Sequence, residues 1–148
     1  MRIIRVEERD KRGYMNLLLL ADEQESMVEK YLDRGEMFAL FDDDLRAVAV
    51  VTDEGDGNRE IKNIATVPEY QRMGYGRALI EHVVRHCRES AKALYVGTGD
   101  SPLTLGFYNR CGFVYSHTVE NFFVDNYDRP IIEDGKQLVD MIYLKRDL

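Results

Sequence analysis

The sequence predicts a mixed α/β fold built around one central sheet. Three observations lead to this prediction: short apolar strands follow one another between turns rich in Asp and Gly, helical periodicity occurs in four segments, and two glycines join a strand to a helix. The length of 148 residues fits one domain, and a hydrophobic content of 45% can fill a core. We therefore expect about seven strands flanked by about four helices.

The N-terminal quarter predicts one strand and two helices. Residues 2–7 alternate weakly between polar and apolar side chains, which is typical of a strand. From residue 8 to residue 32 the apolar positions recur with helical spacing, and residues 22–24 interrupt that spacing. Two helices are expected, the second ended by Gly35.

Three consecutive strands are expected next. Apolar runs at residues 37–41, 45–51 and 59–67 are separated by turns rich in Asp and Gly, and Pro68 closes the third run. Connections this short join antiparallel neighbours, so this part of the sheet should be an antiparallel meander.

A long helix follows the two glycines, and its apolar side chains share one face: Leu79, Ile80, Val83, Val84, Cys87 and Ala91. A short buried strand is expected at residues 94–98. This strand should run parallel to strand 59–67, because a right-handed helical crossover joins the two.

One more helix and two strands complete the prediction. Pro102 suits the first turn of a brief helix with Ser101 as its N-cap, and Gly112 lies near its end. Strands are expected at residues 113–119 and 138–145, and the segment between them reads as irregular.

The composition narrows the class of partner. The net charge of −7 argues against nonspecific binding to nucleic acid and suits a cationic substrate. The two cysteines form no CxxC pair, so free thiols are expected rather than a zinc site. No apolar run approaches the roughly 20 residues that span a bilayer, and the first residues lack the apolar region of a signal peptide. We expect a cytoplasmic protein without a membrane partner.

The joint between strand and helix, Gln71-Arg72-Met73-Gly74-Tyr75-Gly76-Arg77, is the most informative stretch. Glycine lets the backbone approach a ligand closely, and the first turn of the following helix presents free N–H groups at its positive end. Together with two arginines these features indicate an anion site, most naturally for phosphate. The alternatives are a turn without ligand and a dinucleotide site. Leu79 occupies the third glycine position of the dinucleotide fingerprint, and repeated βαβ units are missing.

Two further features lie at fixed distances from this joint: Glu60 in the preceding strand, and Tyr108 ahead of Gly112-Phe113. With the loop pattern (Gln/Arg)-x-x-Gly-x-(Gly/Ala), they resemble the GNAT superfamily of N-acetyltransferases. The motifs cover roughly residues 59–115, and the order of elements extends the resemblance over most of the chain.

The resemblance implies a single acetyltransferase domain over residues 1–148, with a mostly antiparallel sheet of about seven strands that splays in the middle. It implies transfer of acetyl from acetyl-CoA to a primary amine of a small molecule or peptide, by direct attack in a ternary complex and without a metal. Acetyl-CoA would contact the strand edge, the loop and the following elements: Ile64, Ala65, Thr66, Val67, Arg72, Met73, Gly74, Tyr75, Gly76, Arg77, Thr98 and Asn109. A homodimer is also compatible with the resemblance.

The catalytic roles implied are those of a base and an acid. An alkylammonium has a pKa of about 10.4, so a base helps to deliver the neutral amine, and Glu60 occupies the matching position. The departing thiolate needs a proton, and Tyr108 is placed to donate it. Alternatively, Glu60 pairs with Lys62 or Arg59 at the surface, and Tyr108 is a core aromatic. Simple alternation puts Glu60, Lys62, Ile64 and Thr66 on one face of the strand, unless the strand bulges.

Other residues have weaker claims to a role. Cys111 could act as a nucleophile, but the motifs are more consistent with a structural thiol. His82 and His86 could share a metal, but a solvated helix face is more consistent with their surroundings in the sequence. His117 reads as a structural or surface residue. The aromatic and acidic run 120–128 suits either an amine-binding wall or a loop anchored in the core. A non-catalytic acetyl-CoA-binding module is the alternative function, and a protein-interaction domain that binds no cofactor is a third.

Overall fold

The computed structural model describes all 148 residues. The strands are β1 Arg2–Arg5, β2 Glu36–Asp42, β3 Asp44–Gly55, β4 Asn58–Thr66, β5 Ala93–Thr98, β6 Val114–Val119, β7 Ile132–Glu133, β8 Lys136–Gln137 and β9 Met141–Asp147. The α-helices are α1 Met15–Ala21, α2 Glu25–Leu32, α3 Tyr75–Arg88, α4 Pro102–Arg110 and α5 Phe122–Asn126. Two 3₁₀ helices span Glu8–Tyr14 and Pro68–Tyr70.

Seven strands form one sheet in the order β1-β2-β3-β4-β5-β9-β6. All neighbours are antiparallel except β4 and β5, which are parallel and joined through α3. The predicted mixed, mostly antiparallel sheet is therefore confirmed. None of the helices is long and apolar enough to cross a membrane.

The predicted elements differ from the observed ones in three places. The first predicted helix starts as a 3₁₀ helix and becomes α-helical only at Met15. The predicted irregular segment 120–137 contains α5 and the small β7–β8 hairpin, so the chain has five α-helices rather than four. The last strand starts at Met141 rather than at residue 138. In each case the element is short, and short elements carry little periodicity.

The sheet is covered on both faces. The apolar side of α3, including Leu79, Ile80 and Val83, packs on one face as predicted. The helices α1 and α2 cover the other face of β2, β3 and β4 with Leu18, Val28 and Leu32 as fully buried residues. This arrangement fixes the orientation of β4, which lies at the centre of the sheet.

A gap opens between β4 and β5. The two strands pair only over Asn58–Ile61 and Ala93–Val96, whereas β4 continues to Thr66 without a partner on that side. Beyond Val96, β5 remains paired with β9, and its course diverges from that of β4. The unpaired edge of β4 leads directly to the glycine loop before α3.

Candidate active site

A β-bulge at Lys62 sets the direction of the side chains in β4. Val50 of β3 lies opposite Asn63, whereas the next residue, Val51, lies opposite Ile61, so β4 has one extra residue. As a result, Ile61 and Ile64 both contact the core beneath α3, while the Asn63 amide donates to the Leu18 carbonyl at 2.9 Å on the opposite face. The simple alternation predicted from the sequence is wrong beyond Lys62, and Ile64 and Thr66 do not share a face with Glu60.

The hydrogen-bond register shows which peptide groups of β4 face the gap. The Val67 amide donates to the Arg46 carbonyl of β3 at 2.8 Å, and Thr66 lies opposite Ala47. Because peptide groups in an antiparallel strand alternate in direction, those of Ala65 and Val67 point to β3, and those of Ile64 and Thr66 point into the gap. The side-chain amide of Gln71 lies 3.4 Å from the Thr66 carbonyl, as this direction requires.

The glycine loop places exposed backbone at the start of α3. Arg72 and Gly74 both adopt positive φ angles, 65° and 90°, and α3 begins at Tyr75. Residues 71–74 are exposed, including the side chain of Met73. The loop therefore presents free N–H groups and the positive end of a helix of 14 residues at one point of the surface.

The side chains that follow the loop have different directions. Tyr75 is buried, and its hydroxyl donates to Asp42 Oδ2 at 2.7 Å, so only its backbone faces the loop. A side chain at Gly76 would meet the Phe107 ring at 3.3 Å, which means that this glycine allows α3 to pack against α4. Arg77 remains exposed.

Tyr108 lies on α4 between the rings of Phe107 and Phe113, with centroid distances of 5.2 and 5.8 Å. It is 7% exposed, and burial raises the pKa of its phenol well above the usual range. The phenol therefore stays protonated at neutral pH. It forms no hydrogen bond with another side chain, which leaves a proton donor available on the wall of a cavity.

Glu60 is buried and has two partners on the same oxygen. Lys62 Nζ lies 3.1 Å from Oε2, and the Tyr143 hydroxyl donates to Oε2 at 3.2 Å. Burial raises the pKa of Glu60, and the Lys62 charge and the Tyr143 hydrogen bond oppose this rise. The second oxygen, Oε1, is free to accept a proton.

One cavity of about 720 Å³ joins these groups. Its lining includes Glu60, the gap-facing residues Ile64 and Thr66, Thr98 at the end of β5, and Tyr108. Of the twelve predicted contact residues, Ile64, Ala65, Thr66 and Thr98 line this cavity and eight do not. These eight are Val67, the loop and helix residues 72–77, of which Met73 extends into solvent, and the exposed Asn109.

Sequence reasoning missed several cavity residues. Tyr143, Asp22 and Glu133 belong to the lining, and they come from three different segments. The one available signal was the concentration of aromatic and acidic residues at 120–128, whose Phe122, Phe123 and Tyr127 line the cavity.

The weaker candidates have ordinary structural surroundings. Cys111 is buried, and desolvation raises the pKa of its thiol, so it is a poor nucleophile. His82 and His86 both pack edge-on against Phe38, and His86 Nε2 lies 3.1 Å from Glu36. The His117 ring stacks on Tyr143 at 4.7 Å and so supports a cavity wall.

A cavity reached through a splayed parallel strand pair, with a glycine loop at one end, defines an acyl-CoA-dependent acyltransferase. Residues 5–113 match the model of the acetyltransferase (GNAT) family, and the chain belongs to this family. The resemblance found in the motifs is thereby confirmed.

The most informative relatives share the whole length of the chain. An uncharacterised N-acetyltransferase of Bacillus subtilis, YvbK, is 35% identical over 136 residues, which cover 90% of this chain and 88% of that protein. A Bacillus subtilis acetyltransferase in complex with CoA is 35% identical, with a TM-score of 0.90 and coverage of 99% and 98% of the two chains. A GNAT acetyltransferase of Elizabethkingia anophelis with bound acetyl-CoA is 33% identical, with a TM-score of 0.92 and coverage of 99% and 97%.

These findings confirm the predicted class of enzyme and its co-substrate. The chain is an acetyl-CoA-dependent acetyltransferase. The open β4 edge, the exposed loop amides and the cavity between them fit such a co-substrate.

Proposed function

We propose that residues 1–148 form a single domain that transfers acetyl from acetyl-CoA to a primary amine by direct attack in a ternary complex. The observation that carries this proposal is the position of Glu60 and Tyr108 on the walls of the same cavity, which also contains the open edge of β4. The proposed base, the proposed acid and the proposed thioester site would thus share one cavity.

The donor would lie along the β4 edge and the glycine loop. The loop amides from Arg72 to Arg77 suit the pyrophosphate, and the two arginines add positive charge. The gap-facing peptide groups of Ile64 and Thr66 suit the pantetheine arm, whereas Ala65 and Val67 offer only packing, because their peptide groups face β3. Thr98 would contact the thiol end of the arm, and the exposed Asn109 would contact the outer part of the donor.

Glu60 is the proposed base. Its free Oε1 would take the proton from the acceptor ammonium, directly or through water, and the partners on Oε2 hold the carboxylate in place. A raised pKa brings a carboxylate closer to neutral pH, where a general base works best. The Glu60 carboxylate must be ionised for this role, so activity should be lost as the pH falls through its pKa.

Tyr108 is the proposed acid. In the reaction the neutral amine nitrogen forms a bond to the acetyl carbon, the carbon–sulfur bond breaks, and the thiolate receives the phenol proton. The excess proton on the nitrogen then passes to the Tyr108 phenolate, directly or through water, which restores the phenol. The Thr66 N–H faces the gap and would stabilise the negative charge that develops on the carbonyl oxygen. Catalysis then comes from positioning, charge stabilisation and proton transfer, without a covalent enzyme intermediate.

The test is release of free CoA from acetyl-CoA in the presence of primary amines. We expect Tyr108→Phe to lower turnover by about 10²–10⁴-fold, the range of general acid catalysis, with the Kd for acetyl-CoA unchanged in calorimetry. Tyr115→Phe, the same substitution at an exposed tyrosine, is the matched control. Unchanged turnover in Tyr108→Phe would disprove the acid assignment, and tight binding without any turnover would favour a non-catalytic acetyl-CoA module.

We further propose a cytoplasmic location and a homodimer. Cys87 and Cys111 are buried free thiols, which suits a reducing compartment. The edge strand β6 exposes Val114 and Tyr115 at 63% and 62%, an unusual density of apolar surface for an unpaired edge. Light scattering of wild type and Val114→Lys checks the dimer, which should dissociate in the variant.

A further inference from the structure

We propose that the part of the cavity beyond Glu60 is an acceptor subsite for a primary amine that has an apolar body and a single positive charge. This inference rests on the proposed function, since it assumes that Glu60 receives the acceptor's amino group. It adds the chemical class of the acceptor, which the donor site does not specify.

Five apolar or aromatic side chains contribute to the walls of this subsite, beside the charged groups described below. Met27 and Tyr31 of α2 form one side, and Phe123 of α5, Leu138 and Tyr143 form another. The first four of these five residues are buried in the folded chain, and the Phe123 ring stacks on Tyr127 at 5.7 Å. Apolar and aromatic walls bind a hydrocarbon body better than a hydrated one.

Hydrogen bonds between distant segments hold these walls together. The Tyr127 hydroxyl donates to Asp22 Oδ1 at 2.8 Å, and the Tyr31 hydroxyl donates to Oδ2 at 2.9 Å. The Asp128 amide adds a bond of 2.9 Å to the side chain of Gln24. Residues 122–128 are thereby fixed to the turn between α1 and α2, so the subsite exists before an acceptor binds.

The charges in the lining leave room for one ammonium. Lys62 pairs with Glu60 at 3.1 Å and lies 4.0 Å from Glu54, and Arg34 pairs with Glu54 at 2.9 Å. These two cations and two carboxylates compensate one another. Both oxygens of Asp22 already accept phenol hydrogens, so Asp22 has little capacity for a second cation.

Lys30 is the cation of the lining that forms no ion pair, and it repels a second ammonium group. Two carboxylates of the lining remain. Glu133 accepts from the Thr104 hydroxyl at 3.1 Å on the Tyr108 side of the cavity, and Glu23 is exposed in the turn between α1 and α2. A diamine would therefore have to place its second charge near Lys30, near the thiol end or at the exposed Glu23, whereas a monoamine needs none of these positions.

One polar group in this region has no partner. The Asn63 amide nitrogen donates to Leu18 and Tyr31, which fixes its orientation, and Asn63 Oδ1 is buried without a hydrogen bond. Asn63 lines the cavity on the same face of β4 as Glu60.

Three acceptors of similar size test the inference with the full chain and saturating acetyl-CoA. Hexylamine and cadaverine have the same number of heavy atoms and differ only at the far end, a methyl group against an ammonium. Norleucine adds a carboxylate beside the amine. We expect kcat/KM for hexylamine to exceed the values for cadaverine and norleucine by at least about tenfold, the effect of one misplaced group in an apolar pocket.

Methylamine separates this inference from the proposed function, because it is too small to reach the far walls. Turnover of methylamine with a kcat/KM equal to that of hexylamine would overturn the subsite and leave amine acetylation standing. A preference for cadaverine would overturn it in favour of Glu133 or Glu23 as a second cation site, and a preference for norleucine would overturn it in favour of Lys30 as a carboxylate site. If no amine reacts although acetyl-CoA binds, both proposals fail.

A pair of variants on the same short helix completes the test. Phe123→Ala removes a buried wall, whereas Val124→Ala shortens a side chain that is 52% exposed. We expect Phe123→Ala to lower kcat/KM for hexylamine about tenfold and to leave methylamine unchanged, and Val124→Ala to change neither. An equal loss for both amines in Phe123→Ala would indicate a folding defect rather than a subsite. In that case the wild-type ratio of kcat/KM for hexylamine to kcat/KM for methylamine would by itself decide whether the subsite exists.

Discussion

The proposed donor half and the proposed acceptor half of the cavity are built in different ways. The donor half uses backbone: the gap-facing peptide groups of β4, the loop before α3 and the helix terminus itself. Its residues lie within one stretch of the chain, with Thr98 and Tyr108 added from the next strand and helix. The acceptor half uses side chains from residues 20–34, 122–133 and 138–143, which meet only in the folded protein.

This difference explains which half has a recognisable sequence signature. A backbone site imposes conformations that few residues adopt, such as the φ of 90° at Gly74. A wall of apolar side chains can be built from many combinations of residues. The donor half is therefore specified by a motif, and the acceptor half is specified by packing.

The largest effect is expected where the two halves meet. Glu60→Gln keeps the shape of the side chain and removes the base, so kcat/KM at neutral pH should fall by about 10²-fold or more. The acid limb of the pH profile should disappear as well, since its titrating group is gone. Steady-state kinetics across the acid range, with hexylamine as acceptor, measure both.

The control for this substitution is Glu89→Gln at the exposed end of α3, which should have wild-type kinetics. If Glu60→Gln also retained its rate, Glu60 would be a structural partner of Lys62 and nothing more. Base catalysis would then have to come from another group of the lining, with Glu133 as the nearest carboxylate to Tyr108.

A smaller effect, confined to the donor half, is expected for Gly74→Ala. No atom lies within 4 Å of the added methyl group, so the change acts only through the positive φ. A positive φ costs alanine roughly 1–2 kcal/mol. Because the loop must adopt this φ when acetyl-CoA binds, the Kd for acetyl-CoA should rise about tenfold. Calorimetry measures the Kd, and the KM of the acceptor should stay constant.

Gly13→Ala provides the matched control for Gly74→Ala, because it also has open space around the methyl position but no positive φ. It should leave the Kd for acetyl-CoA unchanged. If Gly74→Ala changed only the acceptor KM, the glycine loop would act on acceptor binding, and the proposed separation of donor and acceptor halves would be wrong.

The same contrast shows how much of the molecule could be predicted from the sequence. The order of the main elements, the parallel pair β4–β5 and the place of the glycine loop were predicted, because each depends on local periodicity or a local turn. The bulge at Lys62 was not assigned: it depends on pairing with β3, and no residue type in β4 requires it.

The acceptor walls were harder to predict for a related reason. α5 has five residues and the strands of the β7–β8 hairpin have two each, too few for a period to appear. The bond from Tyr127 to Asp22 joins residues 105 positions apart. A contact of that range leaves no trace in either local sequence.

A moderate effect, confined to the acceptor half, is expected for Tyr127→Phe. The ring remains, but the bond to Asp22 is lost and residues 122–128 are held less firmly. Hydrogen bonds to charged groups contribute about 1.5–3 kcal/mol when buried, and this one is partly buried, so we expect the acceptor KM to rise about fivefold. The Kd for acetyl-CoA should be unchanged. Tyr14→Phe, which removes a hydroxyl outside the cavity, is the control and should change neither constant. A higher Kd for acetyl-CoA in Tyr127→Phe would contradict the separation of the donor and acceptor halves.

The smallest effect is expected for Tyr143→Phe, which tests how the acceptor half acts on the base. The Tyr143 hydroxyl donates to Glu60 Oε2 and so stabilises the ionised carboxylate, opposing the rise in pKa that burial causes. Without it the pKa of Glu60 should rise further, because the hydrogen bond stabilises only the ionised carboxylate. Since the ionised form is the active one, the acid limb of kcat/KM should move to higher pH, while the plateau at high pH stays the same. Tyr95→Phe, on the other side of the His117 ring, is the control and should leave the limb in place. A lower plateau without a shift of the limb would mean that Tyr143 contacts the acceptor itself rather than acting through Glu60.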